Sequence, residues 1–333
     1  MMPLEMENLD PIDRRIVAAL QVNGRASWTE IAPLAGTSVT TVARRAQQLL
    51  SDGIVRVTAV AQPNGAGPVD HLTVRLRCAP GRQLDVARAV AQLPEVRLAT
   101  LVTGAFDVVA ELLIPKGRGV RTLVVDGLQQ ISGIERTVAE LQLHVYKMSH
   151  DWSRALLPEA AGPADVPKQT HACAPEHLDA IDHQIVEALR EDGRAAFQAV
   201  AAGLGVSEST VRRRFETLTQ KGCVLVVTLV PAAALGFEAE VLFWLSVTPD
   251  RLDEAARQLA ALRGVRYVAA TLGRESLMCE VILPSTEDLF HFTTTTLAGV
   301  PGIQAWSANL ELLTLKRAFV HVPWSARELG PAG

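Results

Sequence analysis

Residues from Leu9 to Lys147 lie over residues from Leu178 to Lys316 at one constant offset of 169 positions, with no gap. Leu9, Asp10, Ile12, Asp13, Ile16, Val17 and Leu20 fall on Leu178, Asp179, Ile181, Asp182, Ile185, Val186 and Leu189. Gly24-Arg25 falls on Gly193-Arg194, Ser38 on Ser207, Thr41-Val42 on Thr210-Val211, and Arg44-Arg45 on Arg213-Arg214. The register holds through Val96/Val265, Gly104/Gly273, Glu111/Glu280, Gly133-Ile134/Gly302-Ile303 and Lys147/Lys316. Solenoid units repeat every 20 to 50 residues or so, whereas a period this long is a whole protein duplicated and fused. One chain therefore carries what an ancestor needed two chains to supply.

The first part of each copy reads as three short helices. Ile12, Ile16 and Ala19-Leu20 recur at helical spacing, as do Ile181, Ile185 and Ala188-Leu189, and these helices end at Asn23-Gly24 and Asp192-Gly193. Ser27 with Glu30 forms a capping-box signature for a second helix that turns Ile31-Ala32 inward; its counterpart turns in Val200-Ala201 and Leu204. Pro33 removes a backbone donor, which predicts a kinked or shortened helix in the first copy alone. After breaks at Gly36-Thr37 and Gly205-Val206, Ser38 and Ser207 read as N-caps of a third helix with Val42, Ala46 and Leu49, or Val211, Phe215 and Leu218, inside. Gly53 and Gly222 stop it, and strands Val55 to Val60 and Val224 to Val230 follow. The pattern is a helix-turn-helix with a β extension, winged-helix-like, over 1–60 and again over 178–230.

The second part, over 68–150 and 237–322, alternates strands and helices. Strands at Leu72–Leu76, Val96–Val102, Val108–Ile114 and Glu135–Val145 are interleaved with helices at Leu84–Leu93 and Leu123–Leu128. The second copy repeats this with Val241–Val247, Leu252–Leu262, Val265–Leu272, Leu277–Leu283, Leu289–Leu297 and Ile303–Leu315. This βαββαβ order is the ferredoxin-like plait, an α+β unit whose helices cover one sheet face and leave the other in need of a partner. Between the copies, 151–177 is rich in Pro, Ala and Gly without periodicity and reads as a linker.

At 333 residues the chain suits two to four domains. It holds no apolar run near the roughly 18 residues a membrane span requires, and its N-terminus lacks a basic stretch followed by an apolar one, so a cytoplasmic protein is expected. Cys78, Cys173, Cys223 and Cys279 stand far apart with no C-x-x-C pair, and the histidines are scattered, so no metal or cofactor is expected. Asn64-Gly65-Ala66-Gly67-Pro68 follows a strand without opening a helix and reads as a turn, not a phosphate loop. Trp244, Trp306 and Trp324 read as core or interface. A net charge of −4 excludes a polycation, so any affinity for nucleic acid has to come from locally clustered arginines.

A Leu-Asp-x-x-Asp opening, a Gly-Arg, a Ser-capped helix with Thr-Val-x-Arg-Arg, and a plait with a Gly-x-Phe-Asp turn resemble the Lrp/AsnC family of feast/famine regulators, over nearly the whole chain and twice. The resemblance implies a transcription regulator that binds double-stranded DNA through its helix-turn-helix, pairs through its plait sheets and responds to an amino acid or related metabolite. The N-terminal half of a recognition helix enters the major groove, which makes Ser38, Thr40, Thr41, Arg44 and Arg45, with Ser207, Ser209, Thr210, Arg212, Arg213 and Arg214, the candidate DNA contacts. Arg45 and Arg214 sit beside the buried stripe, where pairing with Asp13 and Asp182 is an equal alternative.

The family's effector site lies between plaits, near the turn joining the second and third strands. The resemblance places Thr103, Gly104, Phe106 and Asp107 there, with Asp107 facing an ammonium group, and Gly273 and Arg274 in the second copy. Ser276 replaces the aspartate, so the two sites are expected to be unequal. Fusion suggests that the two plaits pair within one chain, giving an intra-chain pseudo-dimer with unlike reading heads, and the family resemblance implies further self-association. The rival is an enzyme on the same scaffold, a siroheme decarboxylase, which carries a His-x-Tyr-x-Arg segment in the plait. Val96-Arg97-Leu98-Ala99-Thr100 and Val265-Arg266-Tyr267-Val268-Ala269 lack that histidine. A metabolite-binding protein that has lost DNA is a third reading, against which the arginines kept in both copies count.

Overall fold

Asp10 opens the first helix, its carboxylate accepting the amides of Ile12 and Asp13 at 2.9 Å each, and Asp179 does the same for the second copy. In the computed structural model, which describes residues 8–61, 69–115, 119–153 and 178–325, these caps start α1 (Pro11–Val22) and, in the second copy, α5 (Ala180–Glu191). The capping box of Ser27 and Glu30 starts α2 (Trp28–Ala35); its counterpart α6 (Phe197–Leu204) follows Ala196 with no side-chain cap. Both helices have eight residues, so the shortening expected from Pro33 does not occur. Pro33 and Thr29, whose carbonyl the proline leaves unserved, are both exposed, so the missing donor leaves no buried polar group. Ser38 and Ser207 cap α3 (Val39–Ser51) and α7 (Glu208–Gln220). Ile16, Leu20, Ile31, Val42, Ala46 and Leu49 close the first head's core, and Ile185, Leu189, Val211, Phe215 and Leu218 the second's.

The two heads are joined to each other. Strand β1 (Arg56–Ala61) pairs antiparallel with β6 (Val224–Leu229), from Arg56 opposite Leu229 to Ala61 opposite Val224. The strands that read as separate wings are therefore one shared ribbon. Beside it, Arg25 donates to the carbonyls of Gly193 and Ala195 at 2.6 and 3.0 Å and lies 4.2 Å over the Phe197 ring. Arg194 returns the contact, donating to Gly24 and Ala26 at 2.6 and 3.0 Å and lying 4.0 Å over Trp28. Glycine is required at 193 because a Cβ there would sit 2.7 Å from the Thr58 backbone nitrogen. The Gly-Arg dipeptide that recurs in both copies is the clasp between the heads.

Each plait follows the predicted order. The first comprises β2 (Val69–Cys78), α4 (Gln83–Gln92), β3 (Val96–Val102), β4 (Val108–Pro115) and β5 (Ile134–Met148). The second comprises β7 (Ala239–Val247), α8 (Leu252–Ala261), β8 (Val265–Leu272), β9 (Leu277–Leu283), α9 (Thr286–His291) and β10 (Ile303–Arg317), with a short β11 (Val320–His321). The helix expected at Leu123–Leu128 is a π turn (Thr122–Gly127) followed by a 3-10 turn (Leu128–Gln130), and in the second copy a π turn (Phe292–Thr296) continues α9.

The last strand of each copy is 15 residues long and overruns its own sheet. Strand β5 continues onto β8, from Leu141 opposite Leu272 to Met148 opposite Tyr267, and β10 continues onto β3, from Glu311 opposite Val102 to Lys316 opposite Ala99. The order β10-β3-β4-β2-β5-β8-β9-β7 then returns to β10, a closed antiparallel circuit drawn from both copies. The sheet faces left bare by the helices meet inside it, Val102 and Val109 against Leu242, Trp244, Tyr267, Ala269 and Met278. Polar side chains cross the same seam: Tyr267 donates to Gln142 at 2.6 Å, and Asn309, itself held by Trp244 at 2.7 Å, donates to the Thr103 carbonyl.

Trp244 and Trp324 are buried as expected, but Trp306 is 52% exposed on β10, its ring 5.8 Å from that of Phe243. Of the expected linker, Asp151 to Ser153 are packed: Trp152 enters the first head's core and the Ser153 hydroxyl donates to Gln21 at 2.6 Å. The rest of it, 154–177, and the turn Asn64–Pro68 lie outside the described residues. Among the described residues no helix is long and apolar enough to cross a membrane.

Candidate nucleic-acid interface

The hydroxyls at the start of each recognition helix serve the helix first. Ser38 accepts the Thr41 amide at 3.2 Å and shares a bond with its hydroxyl at 2.9 Å; Ser207 does the same with Thr210, at 3.2 and 2.8 Å, and also meets Ser209 at 2.9 Å. Ser38, Thr40, Ser207 and Ser209 are exposed, and the unserved amides of the first turn give this end of the helix its positive pole. Arg44 and Arg213 hold the same place one turn farther on, both exposed, with no ion pair or side-chain hydrogen bond among the described residues. Arg212 is exposed too, tied to Glu208 at 2.6 Å and 5.2 Å over Phe197.

Arg45 and Arg214 turn the other way, which corrects their place among the candidate DNA contacts. Arg45 pairs with Asp10 and, at 3.1 Å, with Asp13; Arg214 pairs with Asp179 and Asp182 at 2.7 and 2.9 Å. They tie the recognition helix to the first helix of its head. The Asp182 amide and the Arg214 guanidinium together hold Asp179 below the usual carboxylate range.

Two features escaped the sequence reading, though both leave a trace in it. One is the clasp, whose trace is the recurrence of Gly24-Arg25 as Gly193-Arg194. The other is a ridge at spacing i, i+4, i+8 along the recognition helices. It reads Val39, Ala43 and Gln47 in the first head but Glu208, Arg212 and Glu216 in the second. The second head therefore presents alternating charge around an open hollow that also takes in Arg213, where the first presents a neutral face.

The turns expected to bind the effector lie where the two plaits meet, and in the first copy the Thr103 and Asp107 side chains hold the backbone there. The Thr103 amide donates to Leu310 at 3.0 Å, and the Thr103 hydroxyl accepts the Leu310 amide at 3.0 Å. Asn309 donates to the Thr103 carbonyl, and Gly104, at φ 101°, has that amide where a Cβ would go. Asp107 accepts the Cys78 amide at 2.8 Å, and Ser276 accepts the corresponding Val247 amide at 3.0 Å. The aspartate-to-serine change preserves one strand-end hydrogen bond in both copies, which gives Asp107 and Ser276 a structural role at this turn. Phe106 lies 5.2 Å from the Arg75 guanidinium, Gly273 packs on Glu140, and Arg274 is exposed.

Comparison with known proteins agrees with this arrangement. Residues 9–50 and 178–219 match the AsnC-type helix-turn-helix domain, and residues 72–152 and 240–320 match the Lrp/AsnC ligand binding domain. An uncharacterised HTH-type transcriptional regulator of Pyrococcus furiosus is 32% identical over 143 residues, 43% of this chain and 97% of its own length. The HTH-type transcriptional regulator Ptr1 of Methanocaldococcus jannaschii is 29% identical over 140 residues, 42% of this chain and 95% of its own. Each relative thus corresponds to a single copy. The siroheme decarboxylase NirDL superposes over 96% of this chain and 98% of its own, with a TM-score of 0.61 and 14% identity, and shares the fold along the entire length.

Proposed function

The chain belongs to the Lrp/AsnC family, with both of the family's domains present twice, and from that premise we propose that it grips double-stranded DNA as a covalent pseudo-dimer with two unlike heads. The observation that carries this reading is the matched exposure of Arg44 and Arg213 on two recognition helices that ribbon and clasp hold in one body. Arg44 and Arg213 reach base edges or phosphates. Arg212 adds a contact only where Glu208 releases it, and Ser38, Thr40, Thr41, Ser207, Ser209 and Thr210 serve phosphates at the helix starts. The two half-sites lie about one helical turn apart, roughly 34–36 Å, or a multiple of it, and differ in sequence. The plaits respond to an amino acid or related metabolite, and chains associate further through them.

Fluorescence anisotropy on the DNA upstream of the chain's own gene, across a salt series, tests the reading. Specific binding with a steep salt slope is expected, with Arg44→Ala and Arg213→Ala each lowering that slope by about one. Equal affinity for unrelated duplexes would remove the regulator.

The shared architecture of NirDL keeps one enzymatic alternative in view. Against it stands the absence of a His-x-Tyr-x-Arg histidine from Val96–Thr100 and Val265–Ala269. His150 shares a cavity wall with Arg97, Arg266 and Arg317, and its surroundings, with the charges of those arginines, push its pKa down to about 4. Product formation from siroheme would decide for the enzyme.

A further inference from the structure

The two recognition helices share a serine cap and an exposed arginine, Arg44 or Arg213, so these residues cannot tell one half-site from the other. The difference lies along the flank that starts at the first residue of each helix and recurs every fourth position. That flank is Val39, Ala43 and Gln47 in the first head and Glu208, Arg212 and Glu216 in the second. Val39 is 42% exposed, Ala43 is half-buried, and Gln47 and all three residues of the second flank are exposed. Both flanks begin in the N-terminal half of the helix, the part that enters a major groove.

The second flank is held in place from behind. The Arg212 guanidinium lies 5.2 Å over Phe197 at the start of α6, and the same ring carries Arg25, the clasp residue of the other head, at 4.2 Å. Glu208 ties Arg212 at 2.6 Å, and both border the hollow that Ser209 and Arg213 also line. An exposed ion pair of this kind is weak and exchanges readily for better partners. In the first head Trp28 stands where Phe197 does and carries Arg194 at 4.0 Å, but Ala43 has no side chain to lay on it.

We propose that this flank sets the base pair each head selects: G·C for the second head and A·T for the first. Guanine offers a guanidinium the adjacent acceptors O6 and N7, and its cytosine offers a carboxylate the N4 donor, so one G·C pair takes both Arg212 and Glu208. Adenine sets an N6 donor beside N7, which a guanidinium, all donor, cannot grip with two bonds. A lone phosphate oxygen satisfies Arg212 but strands Glu208, which keeps the pair from serving every sequence alike. In the first head the methyl groups of Val39 and Ala43 suit the C5 methyl of thymine, and the Gln47 amide matches N6 and N7 of adenine. Phe197 acts through Arg212 and is a positioning residue. This inference rests on the regulator reading and deepens it.

The test is selection of the full chain's binding sites from a pool of random duplexes, repeated for variants that still melt cooperatively. The intact chain should recover sites with G·C fixed in one half and A·T in the other. Exchanging that G·C pair for A·T should weaken binding roughly tenfold, and in Arg212→Ala this penalty should fall to about twofold or less with the other half-site unmoved. Phe197→Leu should weaken the same preference, and Phe197→Trp, which keeps an aromatic face, should retain it. Val39→Glu with Ala43→Arg should turn the first half-site to G·C. Half-sites of like composition, an unchanged site in Arg212→Ala, or a first half-site that stays A·T in the graft would each overturn the proposal and leave the regulator standing. Recovery of no preferred sequence at all would remove the regulator, and this inference with it.

Discussion

Arg44 and Arg45 are neighbours in sequence and serve opposite ends, as do Arg213 and Arg214. A step of about 100° around a helix carries the first of each pair to solvent and the second to the aspartates of the preceding helix. Arg45→Ala is expected to lower stability by about 1 kcal/mol or more, since it strips a hydrogen-bonding partner from two carboxylates. Arg44→Ala is expected to leave stability alone, and urea denaturation separates the two. The sequence held both outcomes for Arg45, because its place beside Val42 and Ala46 was legible but its rotamer was not. Glu311 brings a pH dependence. Its raised pKa means that protonation stabilises the fold at low pH, and this contribution is lost as pH rises through the folded value. Arg266, Arg317, Glu240 and Glu280 face it from the surrounding strands, and Glu280, held well below the usual range, works in the opposite sense in acid. Glu311→Gln should therefore melt above the wild type near about pH 8, with the gap closing toward about pH 5.

Among the elements, what local pattern encodes was legible and what distant pairing creates was not. Alternation and helical spacing located the strands and helices of both copies, and the caps at Ser27, Ser38 and Ser207 fell where the residues put them. No local signal tells Val57 that it faces Thr228, so the strands after each head read as independent wings. The same blindness applies to Trp306, an aromatic residue that nonetheless lies 52% exposed on β10, at the rim of the second plait's core beside Phe243. The clasp yields a test at this scale. Gly193→Ala puts a methyl group against the Thr58 backbone and is expected to cost about 1–3 kcal/mol, read from the denaturation midpoint. The pair Arg25→Ala with Arg194→Ala should loosen the heads while far-UV circular dichroism stays unchanged.

For the molecule as a whole, duplication fixed the architecture and later divergence made its halves different. The ridge of Glu208, Arg212 and Glu216 is the sharpest difference between the heads. Replacing Glu208 with Val and Glu216 with Gln removes two negative charges from the ridge of the proposed DNA-reading helix, so affinity should rise and its salt slope steepen, with the preference for unlike half-sites reduced. Selection of binding sites from random duplexes reads that change. The crossing of β5 and β10 into the opposite plait carries one more consequence. A regulator made of two loose chains falls apart when scarce, and its grip on an operator then varies with the square of its abundance. Here dilution leaves the two heads of a chain joined, so occupancy by single chains should climb as a plain hyperbola from the first few copies per cell, and a steeper rise would report association between chains.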